Sequence, residues 1–215
     1  MKTVFITCFT GLIARNILST GAFSSLPKDP NLRLVIVTPE SRVPVLAAEF
    51  GGGNVAVEGV PALPLRGIER VLWVLATNLL PSQTRSVQRR AKYARDGSRL
   101  DYLASAALSV LGRFQWVRRI FRTLTARLIT GDEFAYLFDR HRPDLLFTTD
   151  VFTPWDVKLA LLARRRRVKA VAMVRSWDNL TAKGVLRFIP DALLVNNEVV
   201  ADEAIRLNRI ARHRV

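Results

Sequence analysis

Cysteine, histidine and methionine are scarce: one Cys, two His and two Met among 215 residues. The single Cys8 lies in an apolar run, which excludes an internal disulfide framework and fits a reducing compartment. No His is near it in sequence, so a core thiol is expected in place of a nucleophile. His141 stands among Arg140, Arg142 and Pro143, where a solvated loop is expected, and His213 is in the tail. Such separation leaves no zinc-ligand spacing. G-x-G-x-x-G, a Walker lysine pattern and G-x-S-x-G are missing, so neither nicotinamide, P-loop nor elbow-serine chemistry is indicated, and no cofactor or metal is expected. Long apolar runs are missing too. Val71 to Leu80 is about ten residues, half of a bilayer span. The run after Met1-Lys2 is short and interrupted by Arg15, which suits a first strand better than a signal peptide.

Acidic residues are outnumbered, Asp+Glu 18 against Lys+Arg 33, for a formal net charge of +15. That balance implies an anionic partner, whether phosphate esters, anionic lipid or nucleic acid. The hydrophobic share of 49% excludes a disordered chain and allows a sizeable core. No internal repeat or low-complexity linker is evident.

What is present alternates strands with helices. Thr3 to Phe9 reads as a buried strand, Gly11 as a turn, and Leu12 to Phe23 as one helix ended near Pro27. Leu32 to Val37 is a strand, Val43 to Phe50 a helix stopped by Gly51, and Asn54 to Val60 a third strand. The order implies a parallel sheet with right-handed crossovers. From about 65 to 140 strand alternation stops, and a helical insertion punctuated by Pro81, Gly97, Gly112 and Gly131 is expected. Within it Phe114, Val117, Phe121, Leu124 and Leu128 form one stripe, with Arg113, Arg118, Arg119 and Arg122 largely on other faces. The stripe can pack on a sheet beneath a solvated arginine face. Alternatively the helix meets anionic lipid, with Trp73, Trp116 and Phe121 as interfacial anchors. Arg85, Arg89, Arg90, Lys92, Arg95 and Arg99 form a second basic segment.

After Pro143 the rhythm resumes with a strand from Asp144 to Thr149. A helix follows from Trp155 to Ala163, begun by Thr153-Pro154 and ended by Arg164 to Arg167, cations suited to the negative end of its dipole. Val168 to Val174 is an apolar strand, and Ala192 to Val195 another, before a helix over about Val199 to Leu207. The fold class expected is α/β, a Rossmann-like doubly wound parallel sheet with a helical insertion after the third strand. Residues 1–215 then form a single domain of this kind.

The abrupt polarity change after Val174 gives Arg175, Ser176, Trp177, Asp178, Asn179, Thr181 and Lys183, closed by Gly184. Loops at the carboxyl ends of parallel strands are where such folds place ligands. By topology Thr10, Gly11 and Arg15 should lie on one side of the switch point, with Asp150 and Thr153 on the other; Asn196, Asn197 and Glu198 follow the last strand. Asp150 and Asp178 are the carboxylates best placed to act as a base on a hydroxyl. A helix cap for Asp150 and an Asx-turn for Asp178 are the structural alternatives. Arg175 and Lys183 can neutralise a diphosphate or pair with those aspartates, and Trp177 can stack on a ring or simply pack.

The run Ser176 to Gly184, SWDNLT-x-KG, followed by PDALLVNNEVVADEAIRLNRI, resembles the N-terminal half of a family of bacterial glycosyltransferase-like proteins of the GT-B architecture. Asn196 stands where that family would have Trp, and Asn208-Arg209 where it would have His-Gly. The resemblance implies two Rossmann-like domains facing across a cleft, with this chain on the acceptor side and the nucleotide-sugar donor held mainly by a C-terminal domain beyond Val215. Transfer to a glycan or lipid-linked acceptor would use Asp178 and Asp150 as catalytic residues. Thr10, Gly11, Arg15, Arg175, Ser176, Trp177, Asn179, Thr181, Lys183 and Glu198 would bind substrate. A cytoplasmic protein, peripheral at the inner membrane face, is expected, with no nucleic-acid partner. A sugar-nucleotide epimerase of the same fold and a non-catalytic anion- or membrane-binding module are the other classes consistent with these residues.

Overall fold

The computed structural model describes residues 1–62, 64–65 and 67–215. Its strands are β1 (Lys2–Thr7), β2 (Leu32–Pro39), β3 (Val55–Val60), β4 (Leu145–Thr148), β5 (Lys169–Met173) and β6 (Ala192–Leu194). They form one parallel sheet in the order β3-β2-β1-β4-β5-β6. The order reverses between β1 and β4, which is the doubly wound, Rossmann-like arrangement expected from the alternating pattern. Central strands have no solvated face: Leu34, Val35, Ile36 and Val37 of β2 are all fully buried. This is why they read as an unbroken apolar run rather than an alternation.

Helices are α1 (Gly11–Ile13), α2 (Gly21–Ser25), α3 (Val43–Phe50), α4 (Gly67–Asn78), α5 (Gln83–Asp96), α6 (Arg99–Leu111), α7 (Gln115–Leu128), α8 (Ala135–His141), α9 (Pro154–Arg165), α10 (Asn179–Ala182) and α11 (Glu198–Asn208). Helices α4 to α8 intervene between β3 and β4. None is long and apolar enough to cross a membrane among the described residues.

The single helix expected over Leu12 to Phe23 is instead broken. A π-helical turn at Ala14–Leu18 ends at Ser19, and Thr20 takes an extended conformation whose side chain accepts from the Phe23 N–H to start α2. A hydroxyl residue before Gly21 is a stronger cap than it is a helix interior residue, so the chain restarts there.

By contact the chain divides into two compact units. The first comprises Met1–Pro64, Gly131–Met173 and Pro190–Ala192. One side of its sheet packs Ile6, Cys8, Leu34 and Ile36 with Ile13, Leu18, Phe23 and Leu46. On the other, Phe5 meets Phe138 edge-on, ring centres 5.3 Å apart. Gly131 has φ +68°, and a Cβ there would lie 2.6 Å from the Lys158 carbonyl oxygen, so this turn can be built only with glycine. His141 is not in a solvated loop. It ends α8, buried, with Nε2 2.7 Å from Oε1 of Glu58. Arg166 reaches Asp139 at 2.9 Å, so the arginine run ending α9 also ties that helix to α8.

The second unit comprises Leu65–Thr130, Val174–Ile189 and Leu193–Val215. Ser105 donates to the Asn78 side chain at 2.6 Å, tying α6 to α4. The orientation of α7 departs most from expectation. Arg118 is buried and Arg122 half-buried, whereas Phe114, Leu124 and Leu128 of the expected inward stripe are each nearly half exposed. The reason is hydrogen bonding. Arg118 donates to the Gly112 and Leu207 carbonyls, and Arg122 to those of Leu186 and Asn208, satisfying acceptors at segment ends that an apolar face could not serve. Burial lowers both guanidinium pKa values to about 10, which leaves them charged at neutral pH. Neither arginine is available to lipid, and Phe121, the third aromatic proposed as an interfacial anchor, is in the core.

Candidate functional site

In the first unit, the switch point between β1 and β4 is a buried hydroxyl and carboxylate network. Thr7 donates to Asp156 Oδ1 at 2.5 Å, Thr149 Oγ1 donates to the Thr7 carbonyl at 2.8 Å, and Thr153 bonds the other Asp156 oxygen. Thr153 also caps α9 by accepting from the Asp156 N–H, with Pro154 at the first helical position, a cap worth about 1 kcal/mol. Asp156, fully buried and taken up by these bonds, has a structural task. Asp150 is buried as well, and its Oδ1 accepts the Phe152 N–H at 2.8 Å. That local bond is an Asx-type turn leading into the Thr153 cap, so Asp150 is not itself the helix cap expected as its structural alternative.

Thr10 precedes α1 in extended conformation, and Gly11 opens the turn. Arg15 is exposed, its Nε donating to Asn16. A residue the sequence did not single out joins them: Arg42, just before α3, places Nη1 3.3 Å from where a Gly11 Cβ would stand. Glycine at 11 therefore makes room for a cation at the carboxyl end of β1. Phe9, two residues before Gly11, stacks on Trp155 with ring centres 5.3 Å apart.

In the second unit, the loop after β5 is a compact polar knot. Ser176 Oγ donates to Asp178 Oδ1 at 2.6 Å, and the Asp178 carbonyl accepts the Ala182 N–H at 2.9 Å to begin α10. The Asp178 carboxylate makes no capping bond to that helix, so it is not spent on an Asx-turn. Trp177 is 72% exposed rather than packed. Asn179 is 1% exposed and its amide nitrogen has no hydrogen-bond partner among the described residues, an arrangement that costs about 1–3 kcal/mol if nothing meets it. Thr181 Oγ1 donates to the Asp178 carbonyl, and the Thr181 carbonyl accepts from Ser82 at 2.5 Å, which joins the loop to the start of α5. Arg175 and Lys183 are both half-buried. Gly184 closes the knot at φ +118°, where a Cβ would lie 2.7 Å from the Ala76 carbonyl oxygen.

After β6, Asn197 caps α11 through the Val200 N–H at 2.9 Å, and Glu198 occupies the first turn, exposed. Both line a pocket of about 480 Å³ with Asn196 and Arg212. The Asn208-Arg209 pair has a structural role of its own. Asn208 is buried and its Oδ1 accepts the Leu186 N–H at 2.8 Å. Arg209 adopts φ +56° at the helix end, the left-handed position that glycine ordinarily fills.

The chain matches no protein-family model and no curated protein. The class that stands is the Rossmann-like α/β fold of its sheet.

Proposed function

We propose that this chain is the acceptor-side domain of a GT-B glycosyltransferase, acting on a glycan or lipid-linked acceptor with a nucleotide-sugar donor. The observation that carries the reading is the Ser176–Asp178 pair. The carboxylate is held by a side-chain hydroxyl at 2.6 Å, makes no bond to the helix it precedes, and sits beside an exposed indole. In this reading Asp178 takes the proton from the acceptor hydroxyl as that oxygen bonds to the sugar's anomeric carbon. The bond from that carbon to the nucleoside diphosphate breaks, and the diphosphate departs with the electron pair, stabilised by Arg175 and Lys183. Trp177 offers a face for a sugar ring. The test is Asp178→Asn in the full-length protein. Transfer should fall at least about a hundredfold with the unfolding midpoint unchanged. Wild-type turnover in that variant overturns the assignment.

A second reading, contact with an anionic bilayer, is favoured by one observation. On α7, Trp116, Ile120, Leu124 and Leu128 are 61%, 51%, 44% and 48% exposed, with Arg119 and Arg127 exposed beside them. An apolar stripe flanked by cations suits insertion at the headgroup boundary. It is the opposite face of the helix from the one carrying Arg118 and Arg122.

A further inference from the structure

The basic segment on α5 is absorbed by neither reading above. Arg85 and Arg89 are one turn apart on the same helix face, where like charges repel. Both line a pocket of about 400 Å³ walled by α4, α5 and α6, together with Lys92, Tyr93, Tyr102 and Ser105. Each Nε is buried without a hydrogen-bond partner. Arg85 spends Nη1 on Gln88 at 2.6 Å, and Arg89 spends Nη1 on the Ser105 carbonyl at 3.3 Å.

No carboxylate among the described residues pairs with either guanidinium. The two acids on the pocket wall are already engaged, Asp96 with Arg95 at 2.7 Å and Asp101 with Lys92 at 3.3 Å. Two adjacent, half-buried cations with unused buried Nε donors and no carboxylate partner form an unfavourable arrangement in a free protein. An oxyanion entering the pocket would satisfy those donors and cancel the repulsion together. Burial and the neighbouring Arg89 lower the Arg85 pKa, as that picture requires.

Aromatic rings define the other half of the pocket. Tyr93 and Tyr102 are 5.3 Å apart, and the Arg89 guanidinium carbon lies 5.7 Å from the centre of the Tyr102 ring. The cation–π contact places the Arg89 charge over the Tyr102 face, next to an apolar wall.

We propose that this pocket binds a small phosphate monoester, its phosphate held by Arg85 and Arg89 and its ring or apolar portion against Tyr93 and Tyr102. This goes beyond the glycosyltransferase reading and stands without it. The Ser82 bond to Thr181 places the start of the same helix against the polar loop.

Titration calorimetry on the whole chain at low salt tests the site with phenyl phosphate and inorganic phosphate as probes. Phenyl phosphate should bind saturably at one site in the sub-millimolar range, and inorganic phosphate more weakly. Arg85→Gln together with Arg89→Gln should weaken phenyl phosphate at least tenfold. Arg90→Gln with Arg99→Gln removes the same charge at exposed positions outside the pocket and should leave binding within about twofold. Tyr102→Ala should weaken phenyl phosphate severalfold and inorganic phosphate little. The double pocket variant should melt at or above the wild-type temperature; if losing the Arg89 bonds unfolds it, Arg85→Gln alone carries the test. No saturable binding by wild type overturns the proposal, as does equal weakening by the pocket pair and the control pair.

Discussion

Arg122 donates from Nε to the Leu186 carbonyl at 2.9 Å, and its second arm reaches the Asn208 carbonyl at 2.7 Å. One planar group thus holds the segment after the polar loop and the end of α11. Replacing it by Leu leaves two carbonyls unserved, and Arg122→Leu should cost about 2–4 kcal/mol, read as a lowered urea midpoint. Lysine cannot reproduce the fork, so Arg122→Lys should recover less than half of that loss.

Gly184 should tolerate no side chain. At φ +118° with backbone 2.7 Å from any Cβ, Gly184→Ala should cost more than the roughly 1 kcal/mol of an unfavourable φ alone. Thermal unfolding of that variant beside Trp177→Ala provides the contrast. The exposed indole should change stability by no more than about 0.5 kcal/mol.

Burial pushes the Cys8 thiol up to about 11, with Arg42 pulling it down by less. The folded pKa lies above the unfolded value of about 8.5, so the thiol's contribution is complete below that value and is lost as pH rises toward 11. Between those limits wild type should lose up to about 1.4 kcal/mol per pH unit relative to Cys8→Ala. Urea titrations of both proteins at pH 8, 9 and 10 measure the difference. The native thiol should also react with alkylating reagents only on unfolding.

The exposed face of α7 makes a vesicle prediction. Binding should be stronger to anionic than to neutral vesicles and screened by salt, and Trp116→Ser with Ile120→Ser should weaken it at least tenfold. Arg119→Gln and Arg127→Gln should each cost about 1 kcal/mol. Cosedimentation across ionic strength checks these values.

Strand and turn chemistry was legible because it is local. The buried runs of β1, β2 and β5, the Thr153-Pro154 start and the Val43–Phe50 helix each carry their own signal within a few residues. What was illegible depends on partners far along the chain. Nothing near Arg118 says that it will meet the Leu207 carbonyl, and nothing beside His141 announces Glu58. Periodicity assigned the stripe of α7 to the inside, since an arginine is costly to bury unless distant acceptors wait for it. At the candidate site, the residue types of the Ser176 to Gly184 block were legible, but Arg42 was not, because it enters from a different turn.

The first unit is assembled from three separate stretches of chain. During synthesis β1, β2 and β3 leave the ribosome together, while β4, which completes the inner flank of β1, follows some eighty residues later. At roughly 5–20 residues per second this interval is on the order of ten seconds. Throughout it a Val, Phe and Ile edge is open to other nascent chains. A chain released before β4 is made should therefore be more prone to associate than the finished one, because that flank of β1 has no partner strand.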